Sequence, residues 1–375
     1  MFKFQIKKVE KENMKGSFKL GNVAGIGVFV HWTFAILIAY IIFSNYRLGH
    51  NAEQITWAVI FILSIFVTVF LHELGHALAA KRYNIKTKDI TLLPIGGLAR
   101  LESIPENPKE ELVVAIAGPA VNIALAIITG LFITIPEIKD LSVELSGGVN
   151  ASNFFLNFFI VNVWLAVFNL IPAFPMDGGR VLRALLAMKF ERHIATNIAA
   201  RIGQVLAVGF VFLGFFSNPF LVFIGFFIFI GAQAETEFTL VKSLLKGYTV
   251  RDVLMQHYQT IESNEMVKTA VAMLLNGQSR NFLITENGLS VGTLSREEII
   301  KALSEQGENV VIHDVMNKNL VYLDADSPLE NAYQQVQQNN ASLMPVMENK
   351  RLIGTLDTEN ILEFIMVKGA LGKKA

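Results

Sequence analysis

Six apolar stretches fill most of the first 240 residues of this chain, at about 29–44, 56–80, 111–135, 151–173, 194–216 and 219–235. A helix that crosses a bilayer needs ~20 predominantly apolar residues, and most of the six reach that length. With 52% of its 375 residues hydrophobic and 17% charged, the chain is too apolar for an ordinary soluble protein of its size. Ser217-Asn218-Pro219, between the last two stretches, leaves room only for a tight hairpin. The expected fold is a polytopic α-helical membrane domain of about six spans over 28–240, behind a cytoplasmic segment 1–27. No small-residue cleavage site follows the first apolar run, so no cleaved signal peptide is expected.

The distribution of charge orients these spans. Lys plus Arg equals Asp plus Glu at 32 each, so no net charge points to nucleic acid as a partner. Segments 1–27, 81–110 and 178–193 hold sixteen Lys and Arg, whereas the intervening loops hold only Arg47 and Lys139. The positive-inside rule then puts the N-terminus in the cytoplasm, and an even number of spans returns the C-terminus there. A multi-pass protein of a prokaryotic cell membrane is expected.

The chemistry starts at His72-Glu73-Leu74-Gly75-His76, near the end of the second stretch. The chain has no cysteine, so any metal must be held by His and carboxylate. On a helix, positions 72 and 76 share one face about one turn apart, which lets both imidazoles bind one ion with Glu73 beside it. By average residue usage such a pattern arises by chance in roughly one chain of this length in a hundred. Ionisable groups inside a span are costly, by about 2.5 kcal/mol or more for a charge near the centre, and both points favour a metal site. Two nitrogen ligands suit zinc, and a catalytic zinc takes three protein ligands. The best third candidate is Asp177, in Asn169-Leu-Ile-Pro-Ala-Phe-Pro-Met-Asp177-Gly-Gly after the fourth stretch. A turn or N-cap role for Asp177 is the alternative. Five residues separate His76 from Lys81, about 8 Å of helix, so a water path to the cytoplasm is short.

These two motifs, with Gly118-Pro119-Ala120-Val121-Asn122, closely resemble the site-2 protease family of intramembrane metalloproteases over about residues 25–240. The resemblance implies one zinc per chain on His72, His76 and Asp177, with Glu73 as catalytic base. It also implies a single-pass or membrane-anchored protein substrate, cut near the cytoplasmic side after an earlier cleavage. Asn122 and Asn169 are the polar candidates for oxyanion or substrate contact, with helix–helix hydrogen bonding as the alternative. Thr91-Leu-Leu-Pro-Ile-Gly-Gly-Leu-Ala-Arg100, through Ile95, Gly96 and Gly97, is expected to receive extended substrate by β-addition or to cover the site as a structural hairpin.

Beyond residue 240 the chain repeats itself at an offset of 62 residues: Asp252-Val253 with Asp314-Val315, Ala270 with Ala332, and Gly292-Thr293-Leu294 with Gly354-Thr355-Leu356. Each copy reads as short strands around two amphipathic helices, one at 264–275 and 326–337. The repeats, expected at 246–306 and 307–375, resemble a cytoplasmic α/β pair of CBS domains through Val250-Arg-Asp-Val-Leu-Met255, His313-Asp-Val-Met316, Leu343-Met-Pro-Val346 and Gly-Thr-Leu turns. Such pairs sense adenine nucleotides, yet Glu298 and Asn360 stand where a ribose-binding aspartate is expected. Asn360 loses the charge-assisted hydrogen bond. A nucleotide sensor and a dimerisation or partner-docking module, including a homodimer through the CBS domains, both remain open. A CBS-regulated channel or transporter is a rival for the whole chain, but it predicts ionisable groups strung along a pore rather than gathered at one metal-ligand set. An inactive scaffold is a second rival, against which the intact ligand set and Glu73 argue.

Overall fold

The first apolar stretch begins as a strand. In the computed structural model, which describes residues 16–94, 96–102, 105–134, 148–277, 279–339 and 341–372, β1 (Ser17–Val23) and β2 (Ile26–His31) form an antiparallel hairpin. The helix α1 (Thr33–Arg47) starts only after it. A short apolar run does not declare by composition whether it is strand or helix. Here the alternation of buried Ile26 and Val28 with more exposed neighbours is that of a strand. β2 pairs in parallel with β3 (Thr87–Leu93), and β3 pairs antiparallel with β4 (Gly96–Leu101), giving the order β1-β2-β3-β4. β4 is therefore an edge strand. The buried Asp89 on β3 and its cross-strand partner Arg100 on β4 form a two-point ion pair, Nε to Oδ1 at 2.8 Å, which fixes that register.

Among the described residues four helices are long and apolar enough to cross a membrane: α2 (Ala52–Arg82), α3 (Pro108–Gly130), α6 (Arg192–Phe216) and α7 (Pro219–Leu245). The remaining two apolar stretches give shorter helices, α1 with 15 residues and α4 (Phe154–Asn169) with 16. At 1.5 Å per residue these measure about 23 and 24 Å, less than the ~30 Å hydrocarbon core. α2 opens on a capping box at Asn51 and Gln54, and α3 on Asn107 with Pro108 in its first turn, as helix starts favour. α5 (Asp177–Ala187) is short and amphipathic. Outward faces of α6 and α7 expose Phe212, Phe215, Phe223 and Phe227, apolar surface that lipid would cover.

The chain divides at 239/240 into two compact units. The second contains β5 (Thr260–Glu262), α8 (Val267–Asn276), β6 (Asn281–Glu286), β7 (Leu289–Ser295) and α9 (Arg296–Gln306). After the short helix α10 (Ile312–Val315) it repeats the same order as β8 (Leu323–Asp324), α11 (Leu329–Asn339), β9 (Met344–Glu348), β10 (Arg351–Leu356) and α12 (Thr358–Gly372). The copies exchange their lead-in segments. Met255 bridges Thr355 of the second copy, and Asn317 bridges Thr293 of the first, two contacts related by the same offset of 62 residues. Val250 accordingly packs into the core of the second copy with Leu323, Val346 and Ile361. Ile312 and Met316 pack into that of the first with Phe282 and Ile299. Each copy is thus completed by the other.

The Gly-Thr-Leu elements lie inside β7 and β10 and are not turns. Their glycines serve this exchange. A Cβ on Gly292 would stand 2.7 Å from Met316 Sδ and 2.9 Å from Asn317 O, and one on Gly354 would stand 2.5 Å from Met255 O. Gly292→Val is expected to cost about 1–3 kcal/mol through overpacking and to lower the unfolding midpoint of the second unit, followed by circular dichroism of the full chain. An unchanged midpoint would contradict the exchange as its stabilising feature.

Candidate metal centre

Two helices meet where one of them has no side chain. Gly75 on α2 lies so close to α3 that a Cβ there would stand 2.8 Å from Ala117 O and 2.9 Å from Val121 Cγ2. Small residues permit such approach in membrane bundles. It brings acceptors on α3 to both histidines of α2. His72 Nδ1 lies 2.5 Å from Asn122 Oδ1, and His76 Nδ1 lies 2.7 Å from Val114 O. A backbone or amide oxygen can only accept, so each imidazole carries its proton on Nδ1 and presents a bare Nε2.

The third group arrives from the other side. After α4 the chain reverses through 171–176 and enters α5 at Asp177. Gly178 and Gly179 allow the reversal, since a Cβ on the former would meet Leu170 C at 2.5 Å and on the latter Phe174 N at 2.6 Å. Small residues on the flanking helices hold the loop: Gly203 of α6 would place a Cβ 3.1 Å from Ala173 Cβ, and Gly231 of α7 would place one 2.6 Å from Pro175 Cδ. Asp177 makes no cap. The N-cap position belongs to Met176, without a side-chain bond, and the Asp177 carboxylate turns to the histidines.

His72 Nε2, His76 Nε2 and Asp177 Oδ2 stand 3.1 Å from one another in all three pairs. Ligands at ~2.0 Å from a tetrahedral zinc are about 3.3 Å apart, so the three atoms sit close to the spacing of three corners of that figure. All three residues are buried, and among the described residues they form the one cluster of this kind. The donor set, two neutral imidazoles and a carboxylate with both imidazoles oriented from behind, fits zinc.

Glu73, on the same helix, faces β4. Its Oε2 accepts the Ala99 N–H at 3.1 Å, and a Cβ on Gly97 would stand 2.7 Å from Glu73 Cγ and 2.9 Å from Val69 Cγ1. Gly96 opens β4 with φ of +141°, a region that favours glycine. Ile95 lies outside the described residues. Asn122 is fully buried behind His72 and bonds to it and to Asn162, contacts of the helix–helix kind that was the alternative to an oxyanion or substrate role. Asn169 is half-buried at the end of α4, and its Nδ2 donates to Leu165 O at 2.9 Å.

Four charged residues of the bundle gave no signal in the sequence as a set. Arg183 on α5 is fully buried. Its Nε donates to Glu111 Oε1 at 2.8 Å, and its Nη1 pairs with Glu235. Arg192 completes the group, 3.0 Å from Glu111 Oε2 and 2.7 Å from Pro105 O. Two cations balance two anions, as burial demands. The group ties the starts of α3 and α6 and the second half of α7 to the helix that begins with Asp177. The one available hint was a glutamate at the border of an apolar stretch, at 111 and again at 235.

In the second unit Glu298 is committed to its own capping box, accepting Ser295 N–H at 2.7 Å and Ser295 Oγ–H at 2.8 Å. Asn360 donates its N–H to Asp357 Oδ1 at 2.9 Å, and its own Oδ1 is buried without a partner among the described residues.

Two histidines one turn apart, an aspartate brought in by a second element and a glutamate beside the first histidine define a metalloprotease of the H-E-x-x-H kind, set in an apolar helical bundle. Comparison with known proteins agrees. The family model for peptidase family M50 matches residues 60–213 and the CBS domain model matches residues 312–367. A zinc metalloprotease of Methanocaldococcus jannaschii is 31% identical over 355 residues, covering 94% of this chain and 97% of the relative. A putative zinc metalloprotease of Synechocystis is 26% identical, covering 95% and 97%. The solved structure of a site-2 protease from Methanocaldococcus jannaschii, 39% identical, covers 59% of this chain and 95% of that one with a TM-score of 0.41. The chain belongs to peptidase family M50, the site-2 proteases, and carries a pair of CBS domains.

Gly118 gives the sharpest test of this geometry, because a Cβ there would stand 2.7 Å from His72 Nε2 and 2.6 Å from His76 Cε1, within the space the metal needs. Gly118→Ala is expected to abolish zinc binding, measured by elemental analysis, while the protein remains helical and monodisperse. Full zinc occupancy in this variant would contradict the geometry.

Proposed function

We propose that this chain is an intramembrane zinc endopeptidase that cuts membrane-anchored protein substrates near the cytoplasmic side of the bilayer. The observation that carries the reading is the edge strand β4 lying against Glu73, on the helix that holds both histidine ligands. A peptide bond inside a spanning helix is shielded by its own hydrogen bonds, so the substrate must unwind before it is cut. β4 is an edge of the sheet, and an extended segment can add there as a further strand, taking over the Ala99 N–H that Glu73 Oε2 holds in the free protein. Gly97, without a side chain, lets that strand run close to the helix.

When bound, zinc polarises the scissile carbonyl and makes a water acidic enough to lose its proton near neutral pH. Glu73 takes that proton and later delivers it to the leaving amine. Asn169, in the motif that leads to Asp177, is assigned to steady the substrate or the developing oxyanion. Burial of the His72 and Asp177 side chains limits bulk water at the reacting bond, which strengthens each electrostatic contact.

The proposal includes six spans, with the short helices α1 and α4 completing the bundle, and cytoplasmic termini in a prokaryotic cell membrane. The charge asymmetry between loops supports that orientation. The domain limits at 240, 246, 307 and 375 belong to the same proposal. The CBS pair is proposed as a regulatory module. Engagement of Glu298 in its own capping box favours docking or dimerisation over nucleotide sensing at that position. Ile300 and Leu362, equivalent positions on α9 and α12, are both exposed and suit a homodimer contact.

Two variants separate base from platform in a reconstituted assay with a membrane-anchored substrate. Glu73→Gln is expected to keep its zinc and lose turnover by at least ~100-fold, as loss of a general base does. Gly97→Pro is expected to lower turnover by interrupting the free edge of β4 while leaving zinc in place. Cleavage at the normal rate by Glu73→Gln would end the hydrolytic reading, and the same result for Gly97→Pro would end strand addition alone.

A further inference from the structure

Asn162, on α4, is fully buried in the apolar interior and takes no part in the chemistry described above. Its Nδ2 donates to Phe158 O at 2.9 Å, one turn back on the same helix. Its Oδ1 faces Asn122 Nδ2 at 3.4 Å, and Asn122 in turn presents Oδ1 to His72 Nδ1 at 2.5 Å. These three links have a direction. The carbonyl of Phe158 can only accept, so Asn162 must turn its NH2 toward it and its oxygen toward Asn122. Asn122 must then show NH2 to Asn162 and oxygen to His72, and His72 must carry its proton on Nδ1.

We propose that Asn162 is a positioning residue for the zinc site, whose amide sets the orientation of Asn122 and through it the tautomer of His72. An asparagine amide has nearly the same shape when turned over, so sterics alone do not hold Asn122 in its working orientation. Turned over, Asn122 would offer an N–H to His72 Nδ1, and the imidazole proton would move to Nε2, the atom that faces His76 and Asp177. A protonated Nε2 cannot ligate a metal. The backbone oxygen of Phe158 supplies the missing direction through two side chains. The inference rests on the zinc reading for its purpose, but not for its first test.

That test uses full-length protein in detergent with 15N-labelled histidine, stripped of zinc. His72 of the wild type is expected to carry a proton on Nδ1, the atom that faces Asn122 Oδ1, whether or not the Asp177 carboxylate draws a second proton onto Nε2. A bare Nδ1 on His72 would overturn the proposal without recourse to any variant and would leave the zinc reading intact. The second test measures zinc affinity by chelator competition. Asn162→Leu, of similar volume, is expected to bind zinc ~10–100-fold more weakly, the usual effect of losing an outer partner, and to show a population of His72 with a bare Nδ1 in the stripped protein. Asn162→Asp, whose carboxyl group still accepts from Asn122, is expected to retain wild-type affinity. In an Asn122→Asp background, Asn162→Leu is expected to cost no further affinity, because a carboxylate has no N–H face to turn toward His72. Wild-type affinity in Asn162→Leu, or an equal loss in the Asn122→Asp background, would show that Asn162 acts only by packing and would overturn the proposal.

Discussion

The close contact of α2 with α3 is the constraint from which the site follows. Gly75 on α2 removes the side chain that would meet Ala117 O and Val121 Cγ2 and keep α2 from α3, and Gly118 on α3 removes one that would meet the two imidazoles. Only at that separation do the Val114 carbonyl and the Asn122 amide reach the Nδ1 atoms of His76 and His72. With both protons placed on Nδ1, both Nε2 atoms face inward, and Gly118 leaves the volume between them free. Helix packing and metal chemistry are thus one design. Apolar residues of ordinary size at these two positions would give a well-packed pair of helices and no metal site.

The bundle carries charges that lipid does not tolerate unpaired, and two groups of them are balanced inside. Arg183 and Arg192 face Glu111 and Glu235, and Asp89 faces Arg100. Both groups bear on the active region: the first roots α5, which begins with Asp177, and the second locks β4, whose outer edge meets Glu73. Buried pairs of this kind contribute little net stability compared with an apolar replacement, but breaking one leaves a stranded charge. Their role here is to hold elements in register rather than to add to the stability of the fold.

Much of this was legible from residue types and spacing. His72 and His76 at one turn and Asp177 among prolines and glycines stated their chemistry, and the structure brings the three to mutual distances of 3.1 Å. The offset of 62 residues showed a duplication, and the structure adds that each copy borrows its lead-in from the other, which sequence periodicity has no means to express. Three features were hidden. Ile26–His31 is apolar enough for a helix and too short to declare itself a strand. Arg183 counts among the cations of a basic segment and is in fact fully buried. Asn122 was legible as important, but its job behind His72 depends on which face of α3 meets α2, and on Asn162 forty residues away.

The central claim is that His72, His76 and Asp177 hold one zinc ion for catalysis. Metal content of the purified protein in detergent tests it without knowledge of the substrate, by elemental analysis of the wild type beside His76→Ala and Asp177→Ala. The account expects about one zinc per wild-type chain and loss of zinc in both variants, since a structural or catalytic zinc of this kind requires all of its protein ligands. A wild-type chain that stays metal-free after careful reconstitution with zinc would contradict it.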